Sequence, residues 1–283
     1  MKIASYDRGG QVSYGFVVGD RVIDHTDVPG VTAGSVRELI ASGALPDADT
    51  LAGVQTSTPL SEVALLPPVE AGKILCAGVN FPAHREEISL SPSRPDYPTI
   101  FSRFADSLVG HETPIVKADA CEEFDYEGEL AVVIGKRAWN VPESEALEYV
   151  FGYSCFNDGT AREWQRHSPQ WIPGKNFYRS GSFGPYLVTA DEVPDLGNSE
   201  LVTRVNGEVR QQARIKDMLF SVAELIAYVT TFTPLEAGDV VVAGTPGGVG
   251  LFMDPPGLLN VGDVVEVEID GVGLLRNEVA AQA

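Results

Sequence analysis

Positive charge is scarce in this chain: 20 lysines and arginines stand against 40 acidic residues among 283, a formal charge of -20. Nucleic acid and anionic membrane both bind through basic surface, so neither is an expected partner. If the substrate is itself an anion, a metal, a lysine or an arginine must supply positive charge locally. Cysteine is rarer still. Cys76, Cys121 and Cys155 form no CxxC or finger spacing, which makes a reducing cytoplasm the expected setting. No apolar run reads as a signal peptide or a membrane span. Histidine occurs only at 25, 84, 111 and 167, so each one near a loop carries information.

What is abundant is turn formers and apolar residues: 29 glycines, 19 prolines and 44% apolar side chains describe a globular, β-leaning, mixed α+β chain. Short strands are predicted over 11–18 and 21–24, then a short helix over 35–42. Leu65-Leu66-Pro67-Pro68-Val69 makes a stiff extended connection, which places a boundary between a small N-terminal domain, 1–68, and a larger one, 69–283. Strand-like runs dominate the larger part, over 73–77, 129–134, 151–156, 201–205, 239–243 and 264–269. Asn206-Gly207 reads as a hairpin turn, because both central residues of a tight primed turn need positive φ. Ser221 and Glu224 form a capping box that opens a helix ending before Pro234.

The most informative run is Asp125-Tyr126-Glu127-Gly128-Glu129-Leu130-Ala131-Val132-Val133-Ile134. Alternate residues of a strand share a face, so Glu127 and Glu129 point the same way from a segment that otherwise wants burial. Two ionised carboxylates there need a cation or a raised pKa. Asp158 ends the next apolar run. Three such oxygen donors suit Mg²⁺, Mn²⁺ or Ca²⁺ rather than zinc. The plainer alternative is a pair of acids facing solvent on an edge strand. His84 lies three residues before Glu87, where Pro82 can start a helix, so the carboxylate can orient the imidazole as a general base; a surface histidine beside ordinary helix charges fits equally. Lys175, flanked by Trp171 and Phe177, either meets a substrate anion in a partly dry site or snorkels at the surface. Gly244-Thr245-Pro246-Gly247-Gly248-Val249-Gly250 offers N–H groups and a hydroxyl to an anion, or is a plain tight turn.

In combination and order these elements resemble the fumarylacetoacetate hydrolase superfamily from about Val69 onward. The resemblance rests on Cys76-Ala77-Gly78-Val79-Asn80-Phe81 with His84 and Glu87, on Asp125 to Leu130, and on Phe156-Asn157-Asp158-Gly159-Thr160-Ala161-Arg162. It continues through Gly174-Lys175-Asn176-Phe177, Phe183-Gly184-Pro185 and the 244–250 turn. It implies a β-roll or sandwich catalytic domain, with Glu127, Glu129 and Asp158 binding Mg²⁺ or Mn²⁺ and Ca²⁺ as a possible substitute. It further implies His84 and Glu87 activating water, Lys175 stabilising negative charge, and Thr245 holding a substrate carboxylate, with Arg162 and Gln165 lining the same site. The implied reaction is hydrolysis of a C–C bond in a 2,4-dioxo acid through an enolate held by the metal. The alternatives are isomerisation or decarboxylation of a 2-oxo or hydroxymuconate-type acid such as oxaloacetate, or a non-catalytic protein that binds metal and carboxylate. A homodimer is expected. Two departures stand out. Phe81 occupies a place where relatives carry tyrosine, and Ser102-Arg103-Phe104 replaces a frequent Lys-Pro, which bears on the substrate's far end. The stretch from Trp164 to Trp171 is expected to give one wall of the site its own character.

Overall fold

A computed structural model describes residues 1–282. Its centre is the strand Gly128–Ile134, hydrogen-bonded on one side to Val150–Asn157 and on the other to Val240–Val242. All seven residues of this strand are buried because both faces of the sheet are covered there. Leu130, Val132 and Ile134 face one cluster, with Leu225, Ile226 and Val229 of the helix Val222–Thr230 and with Leu201 and Val267 of a second sheet. Ala131 and Val133 face the other, with Leu39 and Ile40 of the helix Val36–Ser42. Glu127 and Glu129 share the parity of Ala131 and Val133.

The main sheet has 12 strands. From Gly128–Ile134 it runs through Val150–Asn157, Gly181–Thr189 and Lys2–Arg8 to the N-terminal hairpin strands Gln11–Val18 and Arg21–Asp24; on the other side it runs through Val240–Val242 and Ile74–Gly78 to Thr99–Ser102. Lys2–Arg8 pairs antiparallel with Gly181–Thr189, so this sheet does not stop at Pro68. A five-stranded sheet of Glu208–Arg214, Glu200–Val205, Val264–Ile269, Gly273–Ala281 and Ile115–Lys117 packs against it. The Asn206-Gly207 turn has φ of 53° and 79°, as a primed hairpin requires. Ser221 and Glu224 cap the helix Val222–Thr230 reciprocally, at 3.2 and 2.8 Å. That helix faces the chain's own core; Tyr97, Tyr228 and Phe232 form an aromatic group on its outer side, Tyr97 and Phe232 being exposed.

Asp239 ties the N-terminal segment to the strand Val240–Val242. Its fully buried carboxylate accepts from Arg37 Nη2 (3.2 Å), Lys73 N and Nζ (both 3.1 Å) and Glu236 N (2.9 Å). Arg37 and Lys73 keep about a third of their side chains in water and can rehydrate, so Asp239→Ala is expected to cost about 3 kcal/mol, the low end for breaking a buried pair. Urea unfolding should show a lower midpoint at unchanged slope. An unchanged midpoint would contradict this tie.

Candidate metal centre and active site

The bend between the short strand Phe124–Asp125 and Gly128–Ile134 brings the first acids together. Gly128 pairs with Asn157 across the sheet, and just beyond that rung Asp158 N donates to Glu127 O at 2.8 Å. Asp158 is thereby fixed beside both glutamates. The carboxylate oxygens of Glu127, Glu129 and Asp158 lie within 4.8 Å of one another, and all three residues are buried. The solvent-facing edge-strand alternative does not hold. An all-oxygen, all-carboxylate set of this size fits a hard divalent cation.

Lys175 is buried too, which removes the snorkelling alternative. Its Nζ donates to Glu127 Oε2 and Asp158 Oδ2 (both 2.6 Å) and to Thr160 Oγ1 (2.8 Å). Arg162 Nε donates to Asp125 Oδ2 (2.9 Å), while Nη1 donates to Glu127 Oε1 (2.6 Å) and Gln165 Oε1 (3.3 Å). Arg162 Nη2 is buried without a hydrogen-bond partner. Glu129 has a different environment: the Gly244 N–H donates to its Oε2 at 2.7 Å, and it has no ion pair among the described residues. The electrostatics diverge accordingly. Burial pushes the Glu127 carboxyl up, but Lys175, Arg162 and His84 outweigh it and bring it down to about 2. Burial, with Asp158 and Glu127 adding repulsion, pushes Glu129 well above the usual carboxylate range. Burial pulls the Lys175 ammonium down, but Asp158 and Glu127 more than compensate and raise it.

Pro82 opens the helix Pro82–Glu87, which is one turn and a half long and puts His84 and Glu87 on one face. His84 Nδ1 lies 2.5 Å from Glu87 Oε1, and Glu87 Oε2 accepts from Gly248 N at 2.8 Å. The dyad is therefore pinned to the glycine-rich turn. That turn is more than a tight corner. Gly244 has φ of 98°, and a Cβ there would come within 2.7 Å of Asn80 Cβ. The Thr245 hydroxyl donates to Gly128 O (3.0 Å) and accepts from Gln211 Nε2 (2.7 Å), so it meets the cavity with its proton already committed.

One cavity of about 470 Å³ is lined by His84, Glu127, Glu129, Arg162, Gln165, Lys175 and Thr245; Glu87 and Asp158 stand directly behind His84 and Lys175. All the expected site residues thus converge. The wall expected between Trp164 and Trp171 is also there, through Arg166, His167, Ser168, Pro169 and Trp171. Two supporting residues, Asp125 and Gln211, were given no role by the sequence, and a third, Arg103, was read differently. Asp125 accepts from Gly250 N and Leu251 N as well as from Arg162. Gln211 joins Gly128 N, the Thr245 hydroxyl and Pro246 O. Arg103 donates to Asp158 Oδ1 at 2.6 Å and to Gly159 O at 3.0 Å, and is buried. Arg103 therefore supports the acidic cluster and is not among the residues that line the cavity. Phe81 is buried and is not among the residues that line the cavity.

Comparison with known proteins agrees with this geometry. Residues 73–280 match the family model described as fumarylacetoacetate (FAA) hydrolase C-terminal. The human protein named oxaloacetate tautomerase FAHD2A, mitochondrial, is 42% identical over 224 residues, covering 78% of this chain and 71% of that protein. A fumarylacetoacetate hydrolase from Exiguobacterium antarcticum superposes with a TM-score of 0.87 at 36% identity, over the whole of both chains. Maleylpyruvate hydrolase from Sphingobium sp. SYK-6, solved with manganese(II) and pyruvate, gives 0.82 at 28% identity, again over both whole chains. The chain belongs to the fumarylacetoacetate hydrolase family.

Proposed function

We propose that this protein is a divalent-metal-dependent enzyme that moves a proton at the carbon next to the carbonyl of a 2-oxo acid, interconverting keto and enol forms of acids of the oxaloacetate type. The observation that carries this reading is the convergence on one cavity of three carboxylates, a buried lysine and a histidine–glutamate dyad. The oxaloacetate tautomerases at about 42% identity support it. Glu127, Glu129 and Asp158 would hold a Mg²⁺ or Mn²⁺ ion, which would supply the Lewis acidity that acidifies the carbon beside a 2-oxo group. Glu87 holds His84 through Nδ1, leaving Nε2 to take the C3 proton and return it at the carbonyl oxygen. Lys175, whose Nζ donates to Glu127, Asp158 and Thr160, would contribute positive charge beside the reacting oxygen, and Arg162 Nη2 offers a donor with no other partner.

Hydrolysis, the first expectation from the sequence, is the second reading. The same dyad can take a proton from water; hydroxide then attacks C4 of a 2,4-dioxo acid, the C3–C4 bond breaks, and its electron pair forms pyruvate enolate, which is protonated at C3. The maleylpyruvate hydrolase fold match supports it. Decarboxylation of oxaloacetate would use the same electron sink without water. A homodimer is also proposed, with the outward Tyr97 and Phe232 available to a shared surface.

Metal binding should be linked to protons. With Glu129 raised, the folded metal-free protein holds a proton that the unfolded chain releases, so metal-free stability falls as pH climbs above the ordinary carboxylate range toward the folded value. Binding needs the ionised form, so Mn²⁺ should displace up to about one proton and bind more tightly as pH rises. Calorimetry in buffers of different ionisation enthalpy should show this; identical apparent enthalpies would contradict it. Without metal, Glu129→Gln should leave the melting temperature equal or higher, while Glu127→Gln should lower it by breaking its pairs with Lys175 and Arg162. Equal effects would mean the two acids are not distinguished as described.

His84→Ala should lower kcat/KM for oxaloacetate tautomerisation on the order of 10²–10⁴-fold, the usual contribution of a positioned base. The decay of enol absorbance measures this. A parental rate would remove His84 from the chemistry and leave it a buried structural histidine.

A further inference from the structure

The cavity is larger than oxaloacetate needs. At about 30 Å³ per water, 470 Å³ corresponds to roughly fifteen waters, well beyond the volume of a four-carbon acid. Beside its polar residues the cavity is lined by apolar side chains, among them Val79, Ile88, Phe101, Trp171 and Phe252. Trp171 is set in place by unusual means. It has φ of 63°, a conformation uncommon for a bulky residue, and its neighbour in the cavity, Val79, has φ of 58°, rarer still for a β-branched one. The indole lies against the Gly78 backbone, where a Cβ would come within 2.3 Å of the ring, and it meets Phe101 edge-on at 5.4 Å between centroids. Backbone strain at two cavity residues and a glycine that makes room for one ring describe a built shelf.

The charges at the cavity point the same way. Among the described residues, each arginine and lysine lining it is already paired: Arg162 with Asp125 and Glu127, Lys175 with Glu127 and Asp158, and Arg166 with Glu123 at 2.6 Å. The free donor among them, Arg162 Nη2, belongs to a side chain bonded to Glu127, so a carboxylate placed away from the acidic cluster would meet only arginines and lysines already in pairs. An apolar group needs no such partner.

We propose that Trp171 is a specificity-determining residue whose indole, backed by Phe101 and Gly78, seats a flat apolar substituent on the distal end of a 2-oxo acid. This rests on the proposed 2-oxo-acid chemistry and extends its substrates from acids of the oxaloacetate type to 2-oxo acids that carry an aryl or other flat apolar group at the distal end.

The test compares a matched pair of ligands, 2-oxo-4-phenylbutanoate and 2-oxobutanoate, titrated calorimetrically into the Mg²⁺-loaded full-length protein, with oxalate as a probe of the metal end alone. The wild type should bind the phenyl compound at least tenfold more tightly than its short partner. Trp171→Ala should reduce that ratio to about two, and Trp171→Phe should restore most of it. Because the readout is a ratio, a general loss of binding does not imitate the effect, and the wild-type ratio needs no variant. A wild-type ratio near one, or a ratio that survives Trp171→Ala, would overturn the proposal. Absence of metal-dependent oxalate binding would instead overturn the 2-oxo-acid reading beneath it.

Discussion

A buried charge cluster with an unmatched anion governs this site. Asp125, Glu127, Glu129 and Asp158 contribute four carboxylates, and Arg103, Arg162 and Lys175 contribute three cations, all buried together. Every carboxylate but that of Glu129 is in an ion pair. Isolated charges in such an interior would be prohibitive, so the pairing must be nearly complete for the fold to exist. The one carboxylate left over is held well above the usual carboxylate range by burial and by repulsion from Asp158 and Glu127, which a divalent cation would relieve. The same arithmetic suits an anionic substrate, whose carboxylate would offset the cation's remaining charge.

The fold serves this constraint. The core covers both faces of Gly128–Ile134, the strand that carries Glu129, and the rung between Gly128 and Asn157 sets the distance between Glu127 and Asp158. The glycine-rich turn after Val240–Val242 is shared between the two halves of the chemistry, since its Gly244 amide holds Glu129 and its Gly248 amide holds Glu87. The base and the metal ligands are thereby positioned by one loop. A shift of that loop would disturb both at once.

Much of this was legible in the sequence because it is local. Alternation placed Glu127 and Glu129 on one face, Pro82 and the i, i+3 spacing made the His84–Glu87 pair, and Asn206-Gly207 and Ser221 with Glu224 marked a turn and a helix start. What was not legible depends on distant segments meeting. Arg103 reaches Asp158 only because the end of Thr99–Ser102 packs beside Gly159, and nothing near Arg103 announces that. Gln211 sits on the second sheet and touches Thr245 only through sheet-on-sheet packing. The antiparallel pairing of Lys2–Arg8 with Gly181–Thr189 is likewise tertiary. Trp171 looked like a flank of Lys175; its left-handed backbone and its seat on Gly78 have no local signature.

Anomalous diffraction from a crystal equilibrated with Mn²⁺ tests the central claim most directly. The account predicts one strong peak bridging the carboxylate oxygens of Glu127, Glu129 and Asp158, with Lys175 Nζ drawn away from at least one of its two carboxylate partners, since lysine and metal compete for the same oxygens. No peak there at saturating Mn²⁺, or a peak elsewhere with Lys175 still bonded to Glu127 and Asp158, would contradict it.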